Sequence, residues 1–241
     1  MKFIVLLISL CSAALAQEYP RWFLQQDKLP CRPNAVMVMQ APSLQKEYAV
    51  ELAFRSGCEL AAKYTAVRVN GGQTFWTTEA GVHSMGAHYS EVFDSSLIEQ
   101  YQSTLKIIDT FIDRNKLIVL VGDSVSCALD DAMRSFVRIE DVPQPSWVET
   151  LPSAEGFYFA VGTSEEYYTE VSSWQRAEQN AVLALARTTH TKVVSVQKKS
   201  AVESQDLFNE EVDVQLKSVE ISERWRDAQK KIFYILARTK K

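Results

Sequence analysis

The sequence predicts an α+β fold built from two similar β-α-β-β-β units, each a long helix packed on one face of a mainly antiparallel sheet. Three observations lead there. A set of features recurs in the same order, opening with Pro20-Arg21-Trp22-Phe23 and returning as Pro145-Ser146-Trp147-Val148. Two Ala-rich segments carry apolar residues at i, i+3 and i+4, the pattern of an amphipathic helix. Runs rich in β-branched residues flank each helix, and helices set against antiparallel strands give an α+β layering.

Residues 1–16 stand apart from this plan. Met1-Lys2 is a basic start, 3–10 is apolar, and Ala14-Leu15-Ala16 is a small-x-small ending, the layout of a secretory signal peptide cut after Ala16. The apolar run is too short to span a bilayer, which takes about 20 residues. Cys11 admits a second reading, lipidation, although the bulky Leu10 stands where a lipidation motif has a small residue. The expectation is export to the periplasm or the outer-membrane periphery, with membrane attachment only if Cys11 is lipidated.

The first unit covers 17–129. A strand at 35–39 leads to Ser43, a helix cap, and a helix over 48–64 in which Gly57 is the weak point, costing about 1 kcal/mol relative to Ala. A strand at 65–69 meets Asn70-Gly71-Gly72, a turn signal. A polar stretch at 71–96 follows, then a long strand pattern at 103–112 and a closing apolar strand at 116–122. Residues 130–144 form the connector. The second unit, 145–241, repeats the order: a strand at 157–161, a cap at Ser164, a helix over 166–187, a strand at 191–196, a polar stretch at 197–210, a long strand at 212–225 and a closing strand at 231–237. Trp22, Phe23 and Trp147 read as core. The pairs Tyr167-Tyr168 and Phe75-Trp76 are harder to bury and mark an interaction surface.

Beyond residue 16 the cysteines are Cys31, Cys58 and Cys127, which in an oxidising compartment permit one disulfide and one leftover thiol. Cys58 falls inside the first helix, as a buried thiol would. Cys31 precedes the first strand of its unit and Cys127 follows the last, so a Cys31–Cys127 bond ties the unit shut if those strands are neighbours.

The chain has 241 residues and a net charge of -4, from 26 basic and 30 acidic side chains. That balance carries no electrostatic footprint for nucleic acid. With 8 glycines there is no phosphate-cradling loop, and no cofactor is expected. Adjacent acids at Glu165-Glu166, Glu210-Glu211 and Asp130-Asp131 read as solvated or capping groups. His83 and His88, near Glu79, Glu91 and Asp94, form a weak metal-like cluster on a segment that Gly81 and Gly86 mark as a loop. Their spacing does not place both imidazoles on one helix face, and the expectation is a solvated loop without a closed metal site.

Two resemblances bear on function. Phe159-Ala160-Val161-Gly162-Thr163, the helix with Arg176-Ala177 and Leu185-Ala186-Arg187, and Arg224-Trp225-Arg226-Asp227 before Tyr234-Ile235-Leu236-Ala237-Arg238 resemble the LPP-twenty family over residues 145–241. The first unit looks like a diverged copy. That family consists of small bacterial lipoproteins associated with the outer membrane, some linked to the flagellum. The resemblance implies a compact α+β envelope domain, no catalytic residues, and partners among envelope or outer-membrane proteins, self-association included. Separately, Leu120-Val121-Gly122-Asp123-Ser124 is similar to the first block of GDS-type serine esterases, which would make Ser124 a nucleophile with His190 as its base. No Asp stands three residues before His190, as that family's pattern requires, so a non-catalytic role is the expectation.

Overall fold

A computed structural model describes residues 17–31, 35–78, 81–189, 192–199 and 204–241; for 73–78, 81–87, 192–199 and 204–210 it describes the backbone alone. Cys11 and His190 lie outside the described residues. In chain order, β1 (Glu18–Pro20) and α1 (Arg21–Leu24) precede β2 (Ala35–Gln40), α2 (Lys46–Thr65), β3 (Ala66–Thr78), β4 (Gly81–Phe93), α3 (Leu97–Thr104), β5 (Lys106–Ile112) and β6 (Leu117–Gly122). Next come α4 (Asp131–Arg134), β7 (Phe136–Arg138), β8 (Phe157–Glu165), α5 (Glu170–Thr189), β9 (Lys192–Lys199), β10 (Ser204–Lys217), β11 (Glu220–Asp227) and β12 (Ile232–Lys240). The fold is α+β and its sheets are antiparallel.

Each unit places its closing strand in the middle of a three-stranded sheet, β2-β6-β5 in one and β11-β12-β8 in the other. The registers correspond: Val38 faces Val119 across β2 and β6, and Gly162 faces Ile235 across β8 and β12. The Ala-rich face of each helix lies on its sheet, through Ala49, Ala53 and Ala61 in α2 and Ala177, Ala181 and Ala186 in α5. Small side chains permit that close approach, and β6 is buried along its whole length.

The polar stretches differ from expectation. Residues 71–96 and 197–210 are largely strand, forming the hairpins β3–β4 and β9–β10, which leave their units and merge into one sheet ordered β4-β3-β10-β9. Its seam pairs β3 with β10 from Ala66↔Lys217 to Thr77↔Asp206. The turn expected at Asn70-Gly71-Gly72 is therefore mid-strand. Gly71 faces Val212, and a Cβ there would stand 3.0 Å from Leu183 of α5, so the glycine serves close packing. The loop expected around His83 and His88 is β4.

Other boundaries shift for local reasons. Ser103 and Thr104 end α3, and the strand starts only at Lys106. The long strand expected at 212–225 breaks at Ser218, which has a φ of 53°; there the Ser218 and Val219 amides donate to Thr65 O and Tyr64 O. Ser43 does not cap α2, which begins at Lys46, and Ser164 lies within β8. Thr169 caps α5 instead, its hydroxyl accepting the Ser172 amide at 3.1 Å. The connector is itself folded: Asp130 caps α4 by accepting the Met133 amide, and β7 pairs with β1, Val137 facing Tyr19.

The tryptophans of the two Pro-x-Trp segments are both buried, yet the segments lie on opposite faces of the same sheet. Phe23 meets Trp174 edge-to-face at 5.5 Å and lies against the Arg224 guanidinium at 4.6 Å, on the face toward α5. Trp147 packs with Trp225 and Leu236 on the outer face. Its indole donates to Glu223 at 2.9 Å, and that of Trp225 donates to Val142 O at 3.1 Å.

Candidate functional site

A cleft of about 620 Å³ opens between α2 and α5, where the two units meet. Its floor is apolar, made by Phe23, Met37, Met39 and Trp174. The β2 strand supplies both methionines, and Val38 between them also lines the cleft. Gln175 ties α5 to that strand by donating to Met39 O at 3.2 Å.

Four charged groups in the cleft hold one another, while the exposed Arg176 donates to Gln179 Oε1 at 2.6 Å. Arg224, buried on β11, donates to Glu178 Oε2 at 3.1 Å, to Gln26 Oε1 at 3.1 Å and to Phe23 O at 3.2 Å. The other carboxylate oxygen of Glu178 accepts the Tyr64 hydroxyl. Burial, then the Glu178 charge beside it, push the Tyr64 phenol well above its ordinary value. Glu91 repeats the arrangement, pairing with Lys63 and accepting the Tyr89 hydroxyl. Burial raises Tyr89 as well, with Glu91 adding to it. Both phenols therefore keep their protons at neutral pH, and each carboxylate is paired with a cation, Lys63 or Arg224. What remains available is the Arg176 charge, shape and apolar surface, with a rim that is partly aromatic. Tyr167 lines the cleft and is 54% exposed. Tyr48 and Leu52, at 56% and 38% exposure, continue in i+4 steps the α2 face that lines it at Ser56 and Leu60.

A second polar cluster is sealed between the units. Lys116, which is 1% exposed, pairs with Asp113 at 3.0 Å and with Glu170 at 3.4 Å, and lies over the Tyr19 ring at 4.4 Å. Burial lowers the Lys116 ammonium and raises Glu170 to about 7.

The candidate residues read from the sequence fall elsewhere. Ser124 is exposed in the turn after β6, where Asp123 accepts the Val125 amide at 3.0 Å and the Ser126 hydroxyl at 3.2 Å. His88 is exposed on β4, opposite Gly72; His83 faces Trp76, and its side chain is outside the described residues, as are those of Phe75 and Trp76. Among the described residues no group of three or more His, Cys, Asp or Glu is placed to hold a metal ion. Cys31 and Cys127 form a disulfide with Cα atoms 4.4 Å apart, joining the chain just before β2 to the chain just after β6. Cys58 is a buried free thiol whose pKa burial raises. Tyr168 is fully exposed. The Arg224–Glu178–Tyr64 group was not foreseen. Its one signal is Arg224-Trp225-Arg226, where strand alternation must turn either the tryptophan or the two arginines toward the helix.

Compared with known proteins, the chain matches no family model, no curated protein and no solved structure. Among the described residues no helix is long and apolar enough to cross a membrane.

Proposed function

We propose that this is an exported protein of the bacterial cell envelope with a non-catalytic structural, assembly or binding role. The observation that carries the reading is the cleft between α2 and α5: Lys63–Glu91 and Arg224–Glu178 are paired within it, its floor is apolar, Tyr167 lines it exposed to solvent, and Tyr48 and Leu52 stand exposed on the continuation of its α2 wall. Exposed aromatic and aliphatic side chains grouped around a groove mark protein contacts. The leader expected at 1–16 and the resemblance of 145–241 to the LPP-twenty family support an envelope setting for that contact, with an envelope or outer-membrane protein as partner.

The test is photocrosslinking in intact cells from a reactive residue at Leu52 or Tyr167. Discrete crosslinked envelope products are expected, and they should weaken when the other of these positions is changed to Ser. Fractionation of the protein with the cytoplasm would overturn the reading. So would hydrolysis of a p-nitrophenyl ester by the purified protein that is lost in Ser124→Ala. Palmitate labelling lost in Cys11→Ser would add a membrane anchor.

A further inference from the structure

The shared sheet joins unlike strands. β3 and β9 each follow the long helix of their unit, and β4 and β10 are the strands that return, so the hairpins β3–β4 and β9–β10 are equivalent. A two-fold seam would pair β3 with β9 or β4 with β10. The order β4-β3-β10-β9 instead pairs the outgoing strand of unit one with the returning strand of unit two. Such a contact is heterologous, and a heterologous contact leaves its own complement at the two ends. The outer edge of β4 is the kind of edge that β10 offers to the seam, and the outer edge of β9 is the kind that β3 offers. Neither carries a proline, one of the devices by which sheet edges are blunted.

We infer that a second copy of this chain pairs its β4 with β9 of the first, antiparallel, so that the sheet continues head-to-tail from copy to copy. This makes the assembly role proposed above one of self-association, and it rests on that reading for its biological place.

Charge supports the same pairing. The seam is stitched by Arg68, whose guanidinium donates to both carboxylate oxygens of Asp213 at 2.8 and 2.7 Å. Arg68 is as far from the end of α2 as Lys192 is from the end of α5. Arg68 faces Val92 in its hairpin and Lys192 faces Glu211, so Asp94 stands two residues beyond Val92 as Asp213 stands two beyond Glu211. Lys192, at the start of β9, and Asp94, the residue just after β4, therefore stand at the positions of the stitching pair. Asp94 is exposed, and its carboxylate accepts only the Ser96 amide and hydroxyl among the hydrogen bonds described.

The seam also fixes the register. Thr74 faces Asn209 across it, and the equivalent positions on the free edges are Lys198 and Ser90. Asn209 faces Val194 and Ser90 faces Asn70, which agrees with that assignment. The ladder then runs from Ser195 opposite Phe93 to Lys199 opposite Tyr89, where β9 ends. A ladder this short is weak alone, so assembly depends on concentration.

Oxidation of the full chain carrying both Ser90→Cys and Lys198→Cys tests this. The double variant should form a ladder of covalent oligomers, while each single variant stays monomeric and all keep the circular dichroism spectrum of the parent. Dimers formed by one single variant would show a like-with-like contact and overturn the inference, as would a double variant that yields no oligomers. In sedimentation, Asp94→Lys and Lys192→Asp should each lose the rise of sedimentation coefficient with concentration, and an equimolar mixture of the two should regain it. A protein that stays monomeric but still crosslinks to envelope proteins through Leu52 or Tyr167 would sink this inference and leave the broader role standing. A ladder without envelope partners would do the reverse.

Discussion

The two units make the same helix-on-sheet crossing with the small residue on opposite sides of it. In unit one α2 meets the sheet at Gly57, where an added Cβ would stand 2.7 Å from Val121 Cγ2 and 3.5 Å from Val38 Cγ2. In unit two the glycine is on the strand: a Cβ on Gly162 would overlap the backbone of α5 at Ala177 O and Ala181 N. Gly57 and Ala181 lie equally far from their helix ends at Thr65 and Thr189, and Val38 and Gly162 face matching positions of the central strand. The helix can approach closely if either partner lacks a side chain. In one unit the yielding atoms are side chain, in the other they are backbone, and that difference governs what each tolerates. Unit one is also closed by a disulfide spanning 96 residues of sequence, a tie with no counterpart in the second unit, which contains no cysteine.

The largest effect should come from cutting that tie. Replacing Cys31 and Cys127 by Ser together should cost about 5 kcal/mol, the chain entropy released by opening a loop of this size. Thermal unfolding with and without reductant checks it: the parent should fall to the level of the variant in reductant, and the variant should not move. Next comes Gly162→Val, which forces backbone apart and should cost about 3 kcal/mol, seen as a large loss in urea midpoint. Gly57→Ala should cost less, about 1 kcal/mol, because the better helix propensity of Ala offsets part of the clash with Val121. Unit two has Ala237 where unit one has Val121. The double variant Gly57→Ala/Val121→Ala should therefore be less destabilised than the sum of its single changes. Additive costs would break the equivalence of the two crossings.

The smallest effect concerns Glu170, which joins the units. Its folded pKa of about 7 lies above the unfolded value of 4.5, so between those values the folded state binds the extra proton. Its contribution is then fully present below 4.5 and is lost as pH rises to about 7. Glu170→Gln should raise the melting temperature at pH 8, by the equivalent of about 1 kcal/mol, and flatten the fall of stability between pH 4.5 and 7. Part of the burial cost is already offset by the Arg226 charge, which is why the gain stays small. A variant less stable than the parent at pH 8 would show that the ion pair outweighs the desolvation.

Much of the frame was legible in the chain. The Ala-rich segments gave α2 and α5, and the apolar runs gave β2, β6, β8 and β12, because a face buried against a sheet imposes its periodicity on the residues. The hairpins were not legible. Gln73, Glu210 and Glu211 are polar, and Asn70-Gly71-Gly72 carries the chemistry of a turn, yet all stand in strands whose hydrogen-bond partners belong partly to the other unit. The cleft was hidden for the same reason, since Tyr64, Glu178 and Arg224 come from α2, α5 and β11 and no local pattern links them.

The sequence by itself determined the repeat, the two helix-on-sheet units and the residues that can lie between helix and strand, all of which follow from local periodicity and side-chain size. Only the tertiary structure decided how the units join: which hairpin strand meets which, on which face of the second sheet each Pro-x-Trp segment settles, and which charges meet in the cleft. Those choices depend on contacts between residues far apart in the chain, where burial and charge pairing act through space and leave no spacing to read.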